Sequence, residues 1–139
     1  LVEAAKARGA KVHLGATTPD GAGAFYPATV LEVSKDDDLL ANEIFGPVAP
    51  IALFDTDEEA LTLANDTEYG LMSFVYSQDL KRAIRFAEGI DAGMVAINRG
   101  LISDPAAPFG GVKQSGLGRE GGFEGVHEFL QTKYIGVEI

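Results

Sequence analysis

Apolar positions along the chain switch between a spacing near 3.6 residues and strict alternation, the signatures of helix and strand. Val2 and Ala5, stopped by Gly9, predict a short opening helix, and a strand follows over residues 11–14. A loop rich in Gly, Thr and Pro covers residues 15–24, and residues 25–33 form a second predicted strand, interrupted by Pro27. The acidic run Asp36, Asp37 and Asp38 reads as a solvated turn. Residues 48–54 predict a third strand, with Pro50 placing it at an edge or a bulge. Thr56-Asp57-Glu58-Glu59 has the form of a capping box, opening a helix that carries Ala60, Leu61, Leu63 and Ala64 and ends near Asn65. A strand over residues 72–76 precedes the clearest helix, with Leu80, Ala83, Ile84 and Ala87 on one face and Gly89 as its stop. Residues 94–97 are another apolar strand. This succession predicts an α/β fold with a mostly parallel sheet flanked by helices. A Gly- and Pro-rich loop then runs to about Gly122, followed by a short helix over residues 123–130. The end of the chain alternates, with Ile135, Val137 and Ile139 on one face and Tyr134, Gly136 and Glu138 on the other, as in a half-buried strand.

Composition narrows the function. The 139 residues are 46% hydrophobic and 23% charged, which suits an ordered domain of ordinary size. No apolar run approaches the roughly 18 residues that cross a bilayer, so the protein reads as soluble. Eleven basic against 21 acidic side chains give a net charge of −10, which disfavours nucleic acid and anionic membrane as partners. With no Cys and only His13 and His127, no disulfide, thiol nucleophile or metal site is expected. The chain opens on Leu1, inside a predicted helix, and is read as a piece of a longer protein.

Two motifs carry candidate chemistry. The run from Gly116 to Gly121 fits G-x-G-x-x-G, with Glu138 near the distance of a ribose-binding acid. A dinucleotide fingerprint needs a buried strand directly before it, and residues 108–115 cannot be one. Glycines this dense instead let the backbone run close against another surface. The second motif is Asn42-Glu43-Ile44-Phe45-Gly46-Pro47, a rigid turn in which a carboxylate could accept bonds from vicinal hydroxyls and a Phe face could press on a flat ring. Taken alone, it reads as an exposed Glu and a core Phe.

Four blocks occur in a telling order: residues 43–47, residues 64–71, Gly93 to Asn98, and Pro108-Phe109-Gly110-Gly111-Val112-Lys113-Gln114-Ser115-Gly116-Leu117-Gly118-Arg119-Glu120. Together they resemble the C-terminal part of the NAD(P)-dependent aldehyde dehydrogenases across essentially the whole chain. Asn98-Arg99-Gly100-Leu101-Ile102-Ser103 followed by Pro-Phe-Gly-Gly is most similar to the succinate-semialdehyde dehydrogenase branch. Asn42 departs from the pattern, which commonly has a second acid there. The resemblance implies part of a catalytic domain over residues 1–130 and an oligomerisation strand over residues 131–139.

In that family a Cys thiolate attacks the aldehyde, hydride passes to nicotinamide, and a Glu-activated water hydrolyses the thioester. These groups lie upstream, so the resemblance implies no catalytic residue in this chain, and the missing Cys marks which part is present. Glu43 matches the acid that hydrogen-bonds the nicotinamide ribose, and Phe45 the aromatic that holds the ring. Ser103 matches a serine that helps hold the substrate's distal carboxylate; a hydroxyl bonded to its own backbone is the alternative. Phe109 matches an aromatic of the substrate tunnel, with plain core packing as the alternative. Arg99 is either a carboxylate clamp or a water-facing loop residue. Gly110, Gly111, Gly116, Gly118, Lys113 and Arg119 read as architectural, with Arg119 also an interface candidate. The strand with Ile135, Val137 and Ile139 resembles the family's oligomerisation strand, an edge that pairs with another subunit or within its own chain. The implied whole is a cytoplasmic homodimer or homotetramer using NAD or NADP to oxidise succinate semialdehyde to succinate. Glutarate semialdehyde or another short aldehyde is the rival substrate, and a non-catalytic assembly domain the rival role.

Overall fold

The computed structural model describes all 139 residues, which form two units, Leu1–Leu63 and Ala64–Ile139. In the first, α1 (Val2–Ala7) leads into β1 (Lys11–Leu14), which pairs antiparallel with β2 (Thr29–Glu32). After α2 (Asp38–Ala41) the chain returns as β3 (Val48–Ile51), parallel to β2, so the sheet runs β1-β2-β3. Thr29 and Leu31 point inward from the central strand while Val30 and Glu32 are half-buried. Leu31 is the centre of a small core with Ala5, Ala16, Val33 and Leu39, against which Val2, Ala10, Ile44 and Val48 pack. Pro50 sits on an edge strand, where its missing N–H costs least.

The acidic run is a solvated turn only in part: Asp36 is exposed in a turn and Asp38 is exposed at the start of α2, but Asp37 is buried. Asp37 is only 7% exposed and N-caps α2 by accepting from the Leu39 N–H at 2.8 Å. Its carboxylate also takes two bonds from the Arg8 guanidinium, at 2.6 and 3.0 Å. That pair, and then the Leu39 N–H, hold the Asp37 carboxyl below its ordinary range. A run of three acids conceals this, because the pairing Arg lies 29 residues away.

Helix α3 (Asp57–Asn65) starts at the expected cap: the Thr56 hydroxyl accepts from the Glu59 N–H at 3.2 Å. The return bond differs by one residue, since Glu59 accepts from the Asp55 N–H at 2.7 Å. Glu59 also pairs with Lys35. The backbone bond and then the Lys35 pair lower its carboxyl.

In the second unit, β4 (Tyr69–Gly70) and β5 (Met72–Val75) precede α4 (Leu80–Gly89), and β6 (Met94–Ile97) pairs parallel with β5. Asp79 caps α4 by accepting from the Arg82 N–H. Ala83, Met94 and Ala96 are the buried positions of this βαβ unit. A strand that the sequence pattern does not predict, β7 (Val112–Lys113), pairs antiparallel with β4. Pairing is thus parallel in two of four cases, and the strands form three small sheets where the sequence predicted one mostly parallel sheet. The short final helix is a 3-10 segment, Glu124–Phe129. Residues 133–139 have no secondary structure and are exposed throughout, so the predicted half-buried strand does not form within this chain. Alternation marks a strand's two faces but supplies no neighbour to close its backbone bonds. No helix is long and apolar enough to cross a membrane.

Candidate functional site

In the first unit the site candidates follow α2. Asn42 ends that helix in an extended conformation, its side-chain N–H donating to the Asp38 carbonyl at 2.6 Å. Ile44 then packs against the core, and its neighbours Glu43 and Phe45 are exposed. Phe45 is 91% exposed, which overturns the reading of a core Phe. Once Ile44 takes the inward position, its neighbours are turned outward. The turn is held from both sides: Gly46 O accepts from the Val48 N–H and Pro47 O from the Thr29 N–H, each at 2.8 Å. Glu43 and Phe45 therefore project from a fixed turn beside the first strand pair.

In the second unit the Gly-rich loop is closely knit. Phe109 and Glu120 exchange two backbone hydrogen bonds of 2.7 Å. The Arg119 guanidinium donates to Gly111 O at 2.6 Å, Gly118 O at 3.0 Å and Leu117 O at 3.1 Å. The Lys113 ammonium donates to the carbonyls of Asn65 and Thr67 and pairs with Asp91 at 3.1 Å, capping the negative end of α3. These contacts fit the architectural reading of both cations. At Gly93 a Cβ would fall on the Gly110 carbonyl oxygen, and 2.7 Å from Gly111 Cα, so the loop lies backbone to backbone against the residue that enters β6. The run from Gly116 to Gly121 follows the two-residue antiparallel β7 and leads into a 3-10 turn, which excludes the dinucleotide fingerprint.

Phe109 is half-buried and lines a cavity of 780 Å³ with Leu71, Arg119, Val126 and Phe129. Ser103 is exposed and is not among the residues lining it. Arg99 donates from Nε to Leu101 O at 2.5 Å, so one of its donors braces its own loop. Asn98, which sequence reasoning passed over, bonds through both side-chain amide atoms to the Ser77 backbone. Its left-handed φ of 53° is the physical mark, and the pattern of apolar residues carries no trace of it.

One unit holds a βαβ motif with a glycine-dense loop packed at the entry to its second strand, and the other holds an outward-facing Glu–Phe turn; each is a piece of an α/β enzyme domain. The family model for the aldehyde dehydrogenases matches residues 1–135. The chain belongs to the aldehyde dehydrogenase family. It is 54% identical over 138 residues to a succinate-semialdehyde dehydrogenase of Paenarthrobacter nicotinovorans, covering 99% of this chain and 31% of that protein. It is 43% identical to a glutarate-semialdehyde dehydrogenase of Pseudomonas putida, covering 99% of this chain and 28% of that protein. The fold matches the crystal structure of succinate-semialdehyde dehydrogenase from Burkholderia pseudomallei with a TM-score of 0.85 and 47% identity, over 92% of this chain and 27% of that one. The chain thus spans less than a third of the length of these relatives.

Proposed function

We propose that the chain is the C-terminal part of a cytoplasmic, homo-oligomeric dehydrogenase that oxidises succinate semialdehyde to succinate with NAD or NADP. The 54% identity to a succinate-semialdehyde dehydrogenase over nearly the whole chain carries this reading. Glutarate semialdehyde is the second reading, favoured by the Pseudomonas putida relative.

The exposed carboxylate and aromatic face at the fixed turn fit one end of a dinucleotide, and a relative from Staphylococcus aureus, a betaine aldehyde dehydrogenase 40% identical to this chain, is described in complex with NAD+. When bound, the nicotinamide accepts the hydride. Glu43 accepts hydrogen bonds from the adjoining ribose hydroxyls, and Phe45 keeps the ring from drifting. Ser103 donates to the substrate's distal carboxylate, and Phe109 borders the aldehyde's path. The Cys nucleophile and the base belong to the rest of the protein, so the 139 residues alone turn over no aldehyde. Arg119 and the segment bearing Ile135, Val137 and Ile139 meet neighbouring subunits.

The test is a steady-state comparison of the full-length protein on succinate semialdehyde, glutarate semialdehyde and uncharged aldehydes with both cofactors. Succinate semialdehyde is expected to have the highest kcat/KM. Comparable turnover of an uncharged aldehyde defeats the carboxylate role given to Ser103, and a preference for the longer acid selects the second reading.

A further inference from the structure

We infer that Asn98 is a positioning residue: its side chain stands in for the next peptide of β6, sets the direction in which the substrate loop leaves the sheet, and so controls discrimination for the distal carboxylate. The specificity half of this inference rests on the function proposed above; the anchoring half rests on geometry alone.

The parallel ladder between β5 and β6 continues into Asn98, whose N–H donates to Val75 O at 2.8 Å. At the next step a strand would pair through its main chain. Here the side chain does so: Asn98 Oδ1 accepts from the Ser77 N–H at 2.9 Å and Nδ2 donates to Ser77 O at 2.7 Å. A primary amide carries the same donor and acceptor as a peptide, and Asn tolerates the left-handed region better than other side chains. With its ladder partner occupied by a side chain, the main chain is free to turn away at φ 53°. Ser77 is itself braced, since its hydroxyl accepts from the N–H of Asp79, the cap of α4.

The loop that departs carries both substrate candidates. Its far end is fixed by the Phe109–Glu120 pair, and between the ends Ala107 N–H donates to Asp104 O and Gly122 N–H to Pro105 O. Ser103 lies just before these bonds, five residues from Asn98. An extended arm of five residues reaches up to about 17 Å, so an error of about 5° at its origin moves the end by up to about 1.5 Å. Displacement on the order of 1 Å is enough to spoil a positioned contact.

The second unit contains a matched control. Asn65 makes the same kind of clamp, donating to Gly89 O at 2.8 Å and accepting from the Asp91 N–H at 2.7 Å, but it joins the ends of α3 and α4. Two changes are made at each position in the full-length protein: Asn98→Gly, which keeps the φ and removes both side-chain bonds, and Asn98→Asp, which keeps the acceptor and sets a carboxylate against Ser77 O; Asn65→Gly and Asn65→Asp are their counterparts.

In the Asn98 variants, amide hydrogen exchange over residues 99–107 is expected to speed up about tenfold. KM for the favoured semialdehyde is expected to rise about tenfold while kcat/KM for an uncharged aldehyde changes less than about threefold. The Asn65 variants should lower Tm without splitting the two substrates. Unchanged exchange over residues 99–107 overturns the anchoring half. Parallel losses on both substrates, or the same split at Asn65, overturn the specificity half. A wild-type protein with no preference for acidic aldehydes overturns that half together with the substrate reading, and the exchange measurement still decides the anchoring.

Discussion

Gly93→Ala places one methyl group where the entry to β6 and the Gly-rich loop touch. The added Cβ would lie 2.7 Å from Gly111 Cα and 2.8 Å from the Gly110 carbonyl carbon, and on top of that group's oxygen. Carbon atoms settle at about 3.5–4.0 Å, so the backbones must separate by about 1 Å. None of these atoms belongs to a side chain that can rotate away. Overpacking of this kind costs about 1–3 kcal/mol, and sequence-neighbouring Phe109 is carried along with Gly110. Gly46→Ala is the control, because its backbone is not left-handed and no atom lies within 4 Å of an added Cβ. The urea midpoint, followed by circular dichroism, should fall in Gly93→Ala by far more than in Gly46→Ala. If Phe109 borders the aldehyde's path, kcat/KM of the full-length protein should also fall by roughly 10- to 100-fold. Equal midpoints for the two variants would refute the close approach, and a lower midpoint with unchanged kinetics would remove Phe109 from the site.

Other predictions test the first unit and the end of the chain. Leu31→Ala empties the centre of a core whose neighbours include the small Ala5 and Ala16, and should cost about 2–5 kcal/mol in urea unfolding; a loss under about 1 kcal/mol would show that the core collapses around the hole. Asp37 has a folded value below its ordinary 3.8, so its stabilisation is complete above that pH and is lost as pH falls through the folded value. Asp37→Asn should flatten acid destabilisation below about pH 4, and an unchanged acid limb would mean that other carboxyls govern it. Phe45→Ala should leave stability nearly unchanged, because the ring is 91% exposed, yet raise KM for the dinucleotide by about 10- to 30-fold, the loss of one covered ring face worth about 2 kcal/mol. A normal KM would release Phe45 from the cofactor role. Ile135→Asp with Val137→Asp should reduce the mass seen by light scattering of the full-length protein, and an unchanged mass would argue that the terminal segment does not join subunits.

Elements whose causes are local were legible in the sequence. The Thr56 cap, the amphipathic face of α4 and the apolar run of β6 each depend on residues within a turn or two, and each formed where its pattern lies. Features that need a distant partner were not. The pairing of Tyr69–Gly70 with Val112–Lys113 joins segments more than forty residues apart and leaves no period in either. Asp37 reads as one acid in a row of three until Arg8 arrives from α1 to bury it. The alternation of residues 133–139 is real, but a strand is completed by its neighbour, and this chain places none beside it.

The candidate site shows the same division more sharply. Motif order pointed to Glu43 and Phe45, while the side chains' own chemistry favoured a buried ring. Ile44 decides between the two: with its side chain in the core, burial of Phe45 would require the turn at Gly46-Pro47 to give up its bonds to Val48 and Thr29. A large ring held in water by such a turn is not accounted for by the folding of this unit, which would be as stable with a smaller residue there. Under the function proposed above, the dinucleotide is what covers it. The same holds for Asn98, whose left-handed backbone and two side-chain bonds serve no apolar burial but fix where a loop begins. Positions that contribute nothing to the chain's own core, yet are held rigidly, are the ones where a function supplied jointly with the rest of the protein leaves its physical trace.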